Sequence, residues 1–404
     1  MKLLDKISAN MTSGEMQTDT YCSIKSLQDD AKPILIYGAG NGFITFSVFI
    51  LENYKLNIMG VVDQKFEAKG LYHGLKQIPP ASLSPADAHK TPPRVIITIG
   101  KTKYHKDIIH YLNSLGYYDI IIATEIFEYH THYTPRTILQ EGKSYFHRHE
   151  EQIDFGYGLF EDIESQIVYE SYLRNYVDQA PCSIPSQPLS DQYFQDDIPL
   201  SKGFSRTINC GAYVGDTVRR LISKVGKVEA LACFEPEESN YHLLESYLEK
   251  NSNNIADELF HFPNGVFNKK AQLFFAGGNQ FNSNLSKTGD IYIQCVTIDE
   301  TLPEFEPTFI NMDIEGAELA ALQGAENVIR QNRPDLAICV YHAVNHLWEI
   351  PTYINSLNLG YQFYLRNYTG FISETVLYAI SGPTEARDPE VTDKVSSDVK
   401  EAFL

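Results

Sequence analysis

An apolar strand that runs into glycines and resumes as a helix occurs twice in this chain, and no other feature restricts its fold as much. The first copy is PILIYGAG, Pro33 to Gly40, followed by helix-compatible sequence from Phe43 to Glu52. The second is RTINCGAYVGDT, which begins at Arg206 and ends as a helix N-terminus. Strands that alternate with helices on short loops bury their apolar residues as a parallel sheet covered on both faces. The first copy continues with NIMGVVD ending at Asp63, RVIITIG, the helix HKDIIHYLNSLG closed by Gly116, and YDIIIAT. The second continues with EALACFEPEESN, a helix through Tyr241 to Lys250, and the strand ELFHFPNGVF. AQLFFAG and IYIQCVTID follow as an insertion or hairpin, then PTFINMDIEGAELAALQGAENVI, DLAICVYH and the late strands YQFYLRNY and ETVLYAI.

The expected architecture is α/β, with two doubly wound Rossmann-like domains. The boundaries read as a lead-in over 1–30, a first domain over 31–128, a helical linker over 129–203, a second domain over 204–382 and a tail over 383–404. Within the linker, Ile163, Ile167, Tyr169, Leu173 and Val177 form a loose helical stripe. PCSIPSQPLSDQYFQDDIPLSKG reads as a loop, and its Tyr193-Phe194 pair predicts that it packs on something.

Composition removes several function classes. The net charge of −19 repels phosphate backbones, so a general nucleic-acid partner is not expected. No apolar run approaches the roughly 18–20 residues needed to span a bilayer, and the start of the chain lacks the apolar core of a secretory signal. The six cysteines include no Cys-x-x-Cys pair. Cys210, Cys233, Cys295 and Cys339 sit in apolar runs as reduced core thiols do, so the cytoplasm is the expected compartment.

Two constellations carry chemistry. In Asn209-Cys-Gly211-Ala212-Tyr213-Val-Gly215-Asp216, glycines fall in a strand-to-helix turn where backbone can approach a ligand and helix N–H groups point at it. Glu235-Pro236 closes the next strand, where a carboxylate can accept hydrogen bonds from both ribose hydroxyls. Either half alone fits an ordinary turn; together they favour a nucleoside that bears an amino acid. The second constellation is Asn311-Met-Asp313-Ile-Glu315-Gly-Ala-Glu318, where the fourth parallel strand gives way to its helix. Asp313 and Glu315 share one side if the strand persists, while Glu318 suits the first helical turn by its charge. At the end of the fifth strand, His342 faces the same crevice with a near-neutral pKa suited to a base. His342, His346 and Asp313 could together hold a metal, although a core or surface role for His346 is the plainer reading and no metal is assigned. In the first domain Gly38-Ala-Gly40-Asn-Gly42-Phe43, with Asp63 beyond it, resembles a phosphate-cradling turn whose third glycine is replaced by Phe43. A fold kept for docking or dimerisation is the stronger reading there, which leaves homo-oligomers open.

INCGAYVGDT, CFEPEESNYHLL, FINMDIEGAELAALQGA and RPDLAICVYH, in that order, resemble the FkbM family of S-adenosylmethionine-dependent O-methyltransferases. The likeness covers about residues 190 to 380. It implies a class I methyltransferase fold for the second domain. It also implies that Gly211, Gly215 and Glu235 hold the methionine and ribose parts of the cofactor, while Asp313, Glu315 and His342 border the methyl-transfer site. With Asn209, Ala212, Tyr213, Asp216 and Pro236 they form the expected cofactor wall. Two positions depart from the family: Asn209 where Asp is usual and Asn311 where Lys is common. An amide at 209 keeps a hydrogen-bond acceptor but loses charge, and loss of the cation at 311 is expected to alter Asp313. The expected function is O-methylation of a hydroxyl on a saccharide or other small-molecule acceptor, with Asp313 or His342 as base. The rival is a catalytically weakened cofactor- or sugar-nucleotide-binding protein of the same fold.

Overall fold

The computed structural model describes residues 2–9, 24–52, 54–68, 70–89, 91–99, 104–126, 138, 141–177, 183–275 and 291–382. The expected tail, Cys22, Cys182 and part of the lead-in lie outside them. The chain divides into two units, Ile7–Lys143 with Leu173–Cys182, and Met1–Lys6 with Ser144–Tyr172 and Ser183–Leu404. Most of the stretch read as a linker thus folds with the C-terminal unit.

The N-terminal unit contains β1 (Ile34–Tyr37), β2 (Ile58–Val62), β3 (Leu71–Tyr72), β4 (Leu75–Ile78), β5 (Arg94–Ile97) and β6 (Ile120–Ile122), in the order β3-β4-β2-β1-β5-β6. All neighbours are parallel except the β3–β4 hairpin. That hairpin is not marked in the sequence: its strands are short, and its turn uses His73 and Gly74, both at positive φ, in place of a conspicuous Asn-Gly. Alternation along β1 sends Ile34 and Ile36 to a core with Phe43, Phe46 and Val61, and Leu35 and Tyr37 to another with Val95 and Leu112. Helix α1 (Asn41–Phe46) follows β1, and α2 (His105–Ser114) follows β5.

The C-terminal unit is larger. After α3 (Ile163–Val177), whose residues up to Tyr172 belong to this unit, come β7 (Arg206–Cys210), α4 (Asp216–Val225), β8 (Val228–Phe234), α5 (Glu238–Ile255), β9 (Ala256–Phe262), β10 (Gly265–Val266), β11 (Ala271–Phe275), β12 (Ile291–Val296) and β13 (Phe309–Met312). Then follow α6 (Glu318–Gln323), β14 (Asp335–Cys339), α7 (His346–Ser356), β15 (Tyr361–Asn367) and β16 (Thr375–Ser381). The main sheet runs β15-β16-β14-β13-β7-β8-β9. Its members are parallel except β16, which is antiparallel to both β14 and β15. β13, β14 and β16 are buried along their whole length, which is why apolar residues dominate them without a period-2 alternation. β11 and β12, which lie in the two segments read as an insertion or hairpin, pair antiparallel and join β10 in a small second sheet.

The connection after β7 crosses to one side of the sheet and the later strands build the other, so β7 and β13 flank the switch point where open α/β sheets leave a crevice at their carboxyl ends. The segment before β7 is fastened to this unit by buried charge. Arg366, 2 % exposed, donates to Asp162 and Asp197, and Asp335 accepts from the backbone of Ser201 and Lys202. Tyr193 and Phe194 are buried here, as their pairing predicted.

Candidate functional site

The turn after β7 is shaped by positive φ at Gly211 (83°), Tyr213 (48°) and Gly215 (83°). Gly211 has no alternative: a Cβ there would stand 1.9 Å from the Asp313 carbonyl oxygen. The two constellations therefore meet through backbone, with the Asp313 N–H donating to the Cys210 carbonyl at 3.0 Å. Ala212 is fully buried, Tyr213 is exposed, and Gly215 caps α4. Asp216 is exposed and paired at 3.2 Å with Arg220 one helical turn later.

Glu235 ends β8 with only 6 % of its surface exposed. Its Oε2 accepts from the Tyr213 N–H at 2.8 Å and its Oε1 from the Glu237 N–H at 3.0 Å. Burial raises its pKa above the ordinary carboxylate value. Pro236, half-buried beside it, starts the link to α5.

β13 stops at Met312, so Asp313 and Glu315 do not share a side by strand alternation. A turn with Glu315 at φ 56° and Gly316 at φ 102° brings them round instead. Both reach His342: its Nε2 is 3.4 Å from Asp313 Oδ1 and 3.6 Å from Glu315 Oε2. Asp313 is the best-supported carboxylate of the group, with the Tyr193 hydroxyl donating to Oδ2 at 2.8 Å and the Tyr341 hydroxyl to Oδ1 at 3.3 Å. Burial raises the pKa of Glu315.

Glu318 is more than a helix-dipole acid. It is wholly buried, and its Oε1 accepts from the Ile314 and Gly316 N–H groups and from His342 Nδ1 at 2.7 Å. Burial opposes its charge, but His342 outweighs burial and holds it below the usual carboxylate range. For His342 burial likewise opposes charge, yet Glu318 prevails and lifts the imidazole to about 10. An imidazolium has no free lone pair, so His342 is a poor proton acceptor at neutral pH. His346 also turns to Glu318, at 3.3 Å, rather than converging on Asp313. Among the described residues no group of three His, Cys, Asp or Glu side chains is arranged to hold a metal.

The two buried amides near the ends of β7 and β13 face each other. Asn209 and Asn311 are register partners on β7 and β13, both 1 % exposed, and Asn311 Nδ2 donates to Asn209 Oδ1 at 2.8 Å. Both side chains are neutral, so neither strand carries a lone buried charge at this pair. The oxygen of Asn209 is thereby occupied, and its buried Nδ2 has no partner among the described residues. The unspent group is a donor, where an acceptor was expected.

Sequence reasoning missed Tyr193 and Tyr341 as partners of Asp313, and Glu374, whose Oε1 lies 3.5 Å from the Tyr341 hydroxyl. Only the aromatic pair at 193–194 gave a signal.

The donors and bare backbone gathered here fit an adenosyl amino acid: a carboxylate for a ribose, a glycine turn that admits a ligand against backbone, and an unspent buried amide. Residues 209–386 match the model of the methyltransferase FkbM domain. No curated protein matches the chain. Among solved structures, a methyltransferase FkbM from Methylobacillus flagellatus KT superposes with a TM-score of 0.65 at 20 % identity, covering 93 % of this chain and 99 % of that one. Fibrillarin from Aeropyrum pernix, in complex with natively bound S-adenosyl-L-methionine, gives a TM-score of 0.29 at 10 % identity over 48 % of this chain and 74 % of that one. Among the described residues no helix is long and apolar enough to cross a membrane. The C-terminal unit of this chain has the class I methyltransferase fold, and its residues 209–386 are similar to the FkbM methyltransferase domain.

Proposed function

We propose that the C-terminal unit is an S-adenosylmethionine-dependent O-methyltransferase acting on a hydroxyl of a saccharide or another small molecule. The observation that carries this reading is the abutment of the Gly211 turn on Asp313, which sets a side-chain-free stretch of backbone beside a partly exposed carboxylate. Bound S-adenosylmethionine would supply a methyl group already activated by its sulfonium. The protein then has to hold the acceptor in line, exclude water and take a proton.

In this reading Glu235 accepts from the ribose hydroxyls, the Asn209–Asp216 turn with Pro236 surrounds the rest of the cofactor, and Asp313 takes the acceptor's proton. His342, kept charged by Glu318, serves as a positioning residue that holds Asp313 and Glu315. The rival reading of a weakened binding protein drew on Asn209 and Asn311; their mutual hydrogen bond weakens that case, because the neutral pair leaves no isolated charge.

Calorimetric titration with S-adenosylmethionine tests the cofactor, and transfer of a labelled methyl group to small hydroxyl compounds tests the reaction. Binding by the parent protein and its loss in Gly211→Val are expected. An absence of binding by the parent overturns the proposal.

A further inference from the structure

Glu374 stands immediately before β16, at φ 55°, and shares the Tyr341 hydroxyl with Asp313. That hydroxyl is 3.3 Å from Asp313 Oδ1 and 3.5 Å from Glu374 Oε1, so its single proton can serve one carboxylate at a time. The other oxygen of Glu374 accepts from Gln192 Nε2. Gln192 Oε1 in turn accepts from Arg220 Nη1 at 3.0 Å, and Arg220 is paired with Asp216. An unbroken polar chain therefore runs from the helix that follows the glycine turn to the acid at the end of β13. Nothing in the reaction proposed above uses its middle member.

We propose that Glu374 is the second carboxylate of a proton-sharing pair, coupled to Asp313 through the Tyr341 hydroxyl, and is the group on which the acceptor's proton comes to rest. The inference rests on the reading of Asp313 as base and goes one step past it. When the acceptor oxygen bonds to the methyl carbon, the carbon–sulfur bond breaks with its electron pair left on sulfur, and the hydroxyl proton passes to Asp313. Tyr341 accepts that proton on its oxygen while giving its own hydroxyl proton to Glu374. Asp313 is ionised again, the phenol is unchanged in composition, and Glu374 is a neutral acid that returns its proton to water.

The surroundings suit that role. Burial first, then the charge of Asp313, lift the Glu374 carboxyl to about 7, against the opposing pull of Gln192, His342 and Arg220. Tyr193 and Cys339, which also feel the charge of Glu374, are themselves raised by burial and stay protonated. Two close carboxylates cannot both ionise freely, so one is left able to hold a proton near neutral pH.

The test is infrared difference spectroscopy during pH titration of the ligand-free full-length chain, following the C=O stretch of protonated carboxyls. In the parent, a band titrating near neutral pH is expected. Glu374→Gln should remove it, Asp313→Asn should move it to lower pH by removing the neighbouring charge, and Tyr341→Phe should move it to higher pH by removing a donor to the ionised form. Persistence of the band in Glu374→Gln, or an unmoved titration in both other variants, overturns the proposal; the two other variants decide the matter if Glu374→Gln does not fold. Because no cofactor is present, these outcomes are independent of the calorimetric test, whose failure would strike the methyltransferase reading instead.

Discussion

The two units solve the same local problem with the same parts. In each, a strand enters a glycine turn, and the acid at the end of the next strand accepts a hydrogen bond from that turn: Asp63 from the Ala39 N–H at 2.6 Å, Glu235 from the Tyr213 N–H at 2.8 Å. The difference lies one strand further on. In the N-terminal unit β5 is followed by Thr98, whose hydroxyl donates back to the Gly38 carbonyl at 2.9 Å, and Lys65 and the Tyr72 hydroxyl both donate to the Ala39 carbonyl. In the C-terminal unit β13 and β14 are followed by Asp313, Glu315 and His342. An acid after the second strand is therefore a way of fixing a turn, and in the proposed reaction the chemistry comes from what the fourth and fifth strands deliver.

The sharpest attempt to break this comparison is Asp313→Asn. If that carboxylate is the base, methyl transfer should fall about 10²–10⁴-fold with cofactor affinity retained; parent-like turnover in a labelled-methyl assay would remove the distinction between the units. Glu318→Ala should come next. Stripping the acid leaves His342 buried without its main partner, at a cost of about 3–5 kcal/mol read by denaturant unfolding.

The same pair fixes the direction of a pH effect. The folded pKa of His342 is raised from 6.5 to about 10, so its contribution is complete below pH 6.5 and is lost as pH rises toward 10. Glu318 has a lowered pKa, so its contribution is complete above pH 4.5 and is lost only at strong acid. Thermal unfolding of the parent should thus weaken from pH 6.5 to 10, and His342→Gln should flatten that decline.

A smaller effect tests whether Asn209 and Asn311 act as one pair. Asn311→Lys should destabilise the C-terminal unit, and adding Asn209→Asp should recover stability, with a coupling of about 0.5–3 kcal/mol in a double-mutant cycle. Strict additivity would mean that the two positions are independent. The smallest effect belongs to the N-terminal turn. Asp63→Asn should cost about 1 kcal/mol, seen in unfolding and absent from methyl transfer.

How far the residues could be read depended on what kind of physics placed them. Gly211 and Gly215 are legible because a strand-to-helix turn at positive φ selects glycine locally. Glu235 and Asp313 are legible because each follows a largely apolar run at which a parallel strand must end. Glu315 reached the site for a reason the sequence reading did not supply, since the strand ended before it and a left-handed turn carried it round. Glu318 looked like a helix-capping acid until its burial against His342 became visible, and the β3–β4 hairpin went unread because its strands are too short to show a period.

By itself, the order of apolar runs and glycines determined two α/β units, their parallel strands and the strand ends where a crevice opens, because alternation, helix period and turn conformation act between near neighbours. Only the tertiary structure decided which groups share a proton or a charge. Tyr193 meets Asp313 across 120 residues and Gln192 meets Glu374 across 182, and such partners are set by strand order and register, which bring β16 beside β14 and β13 beside β7. The charge of His342 follows in the same way from Glu318, since a buried group takes its charge from whatever the fold sets against it.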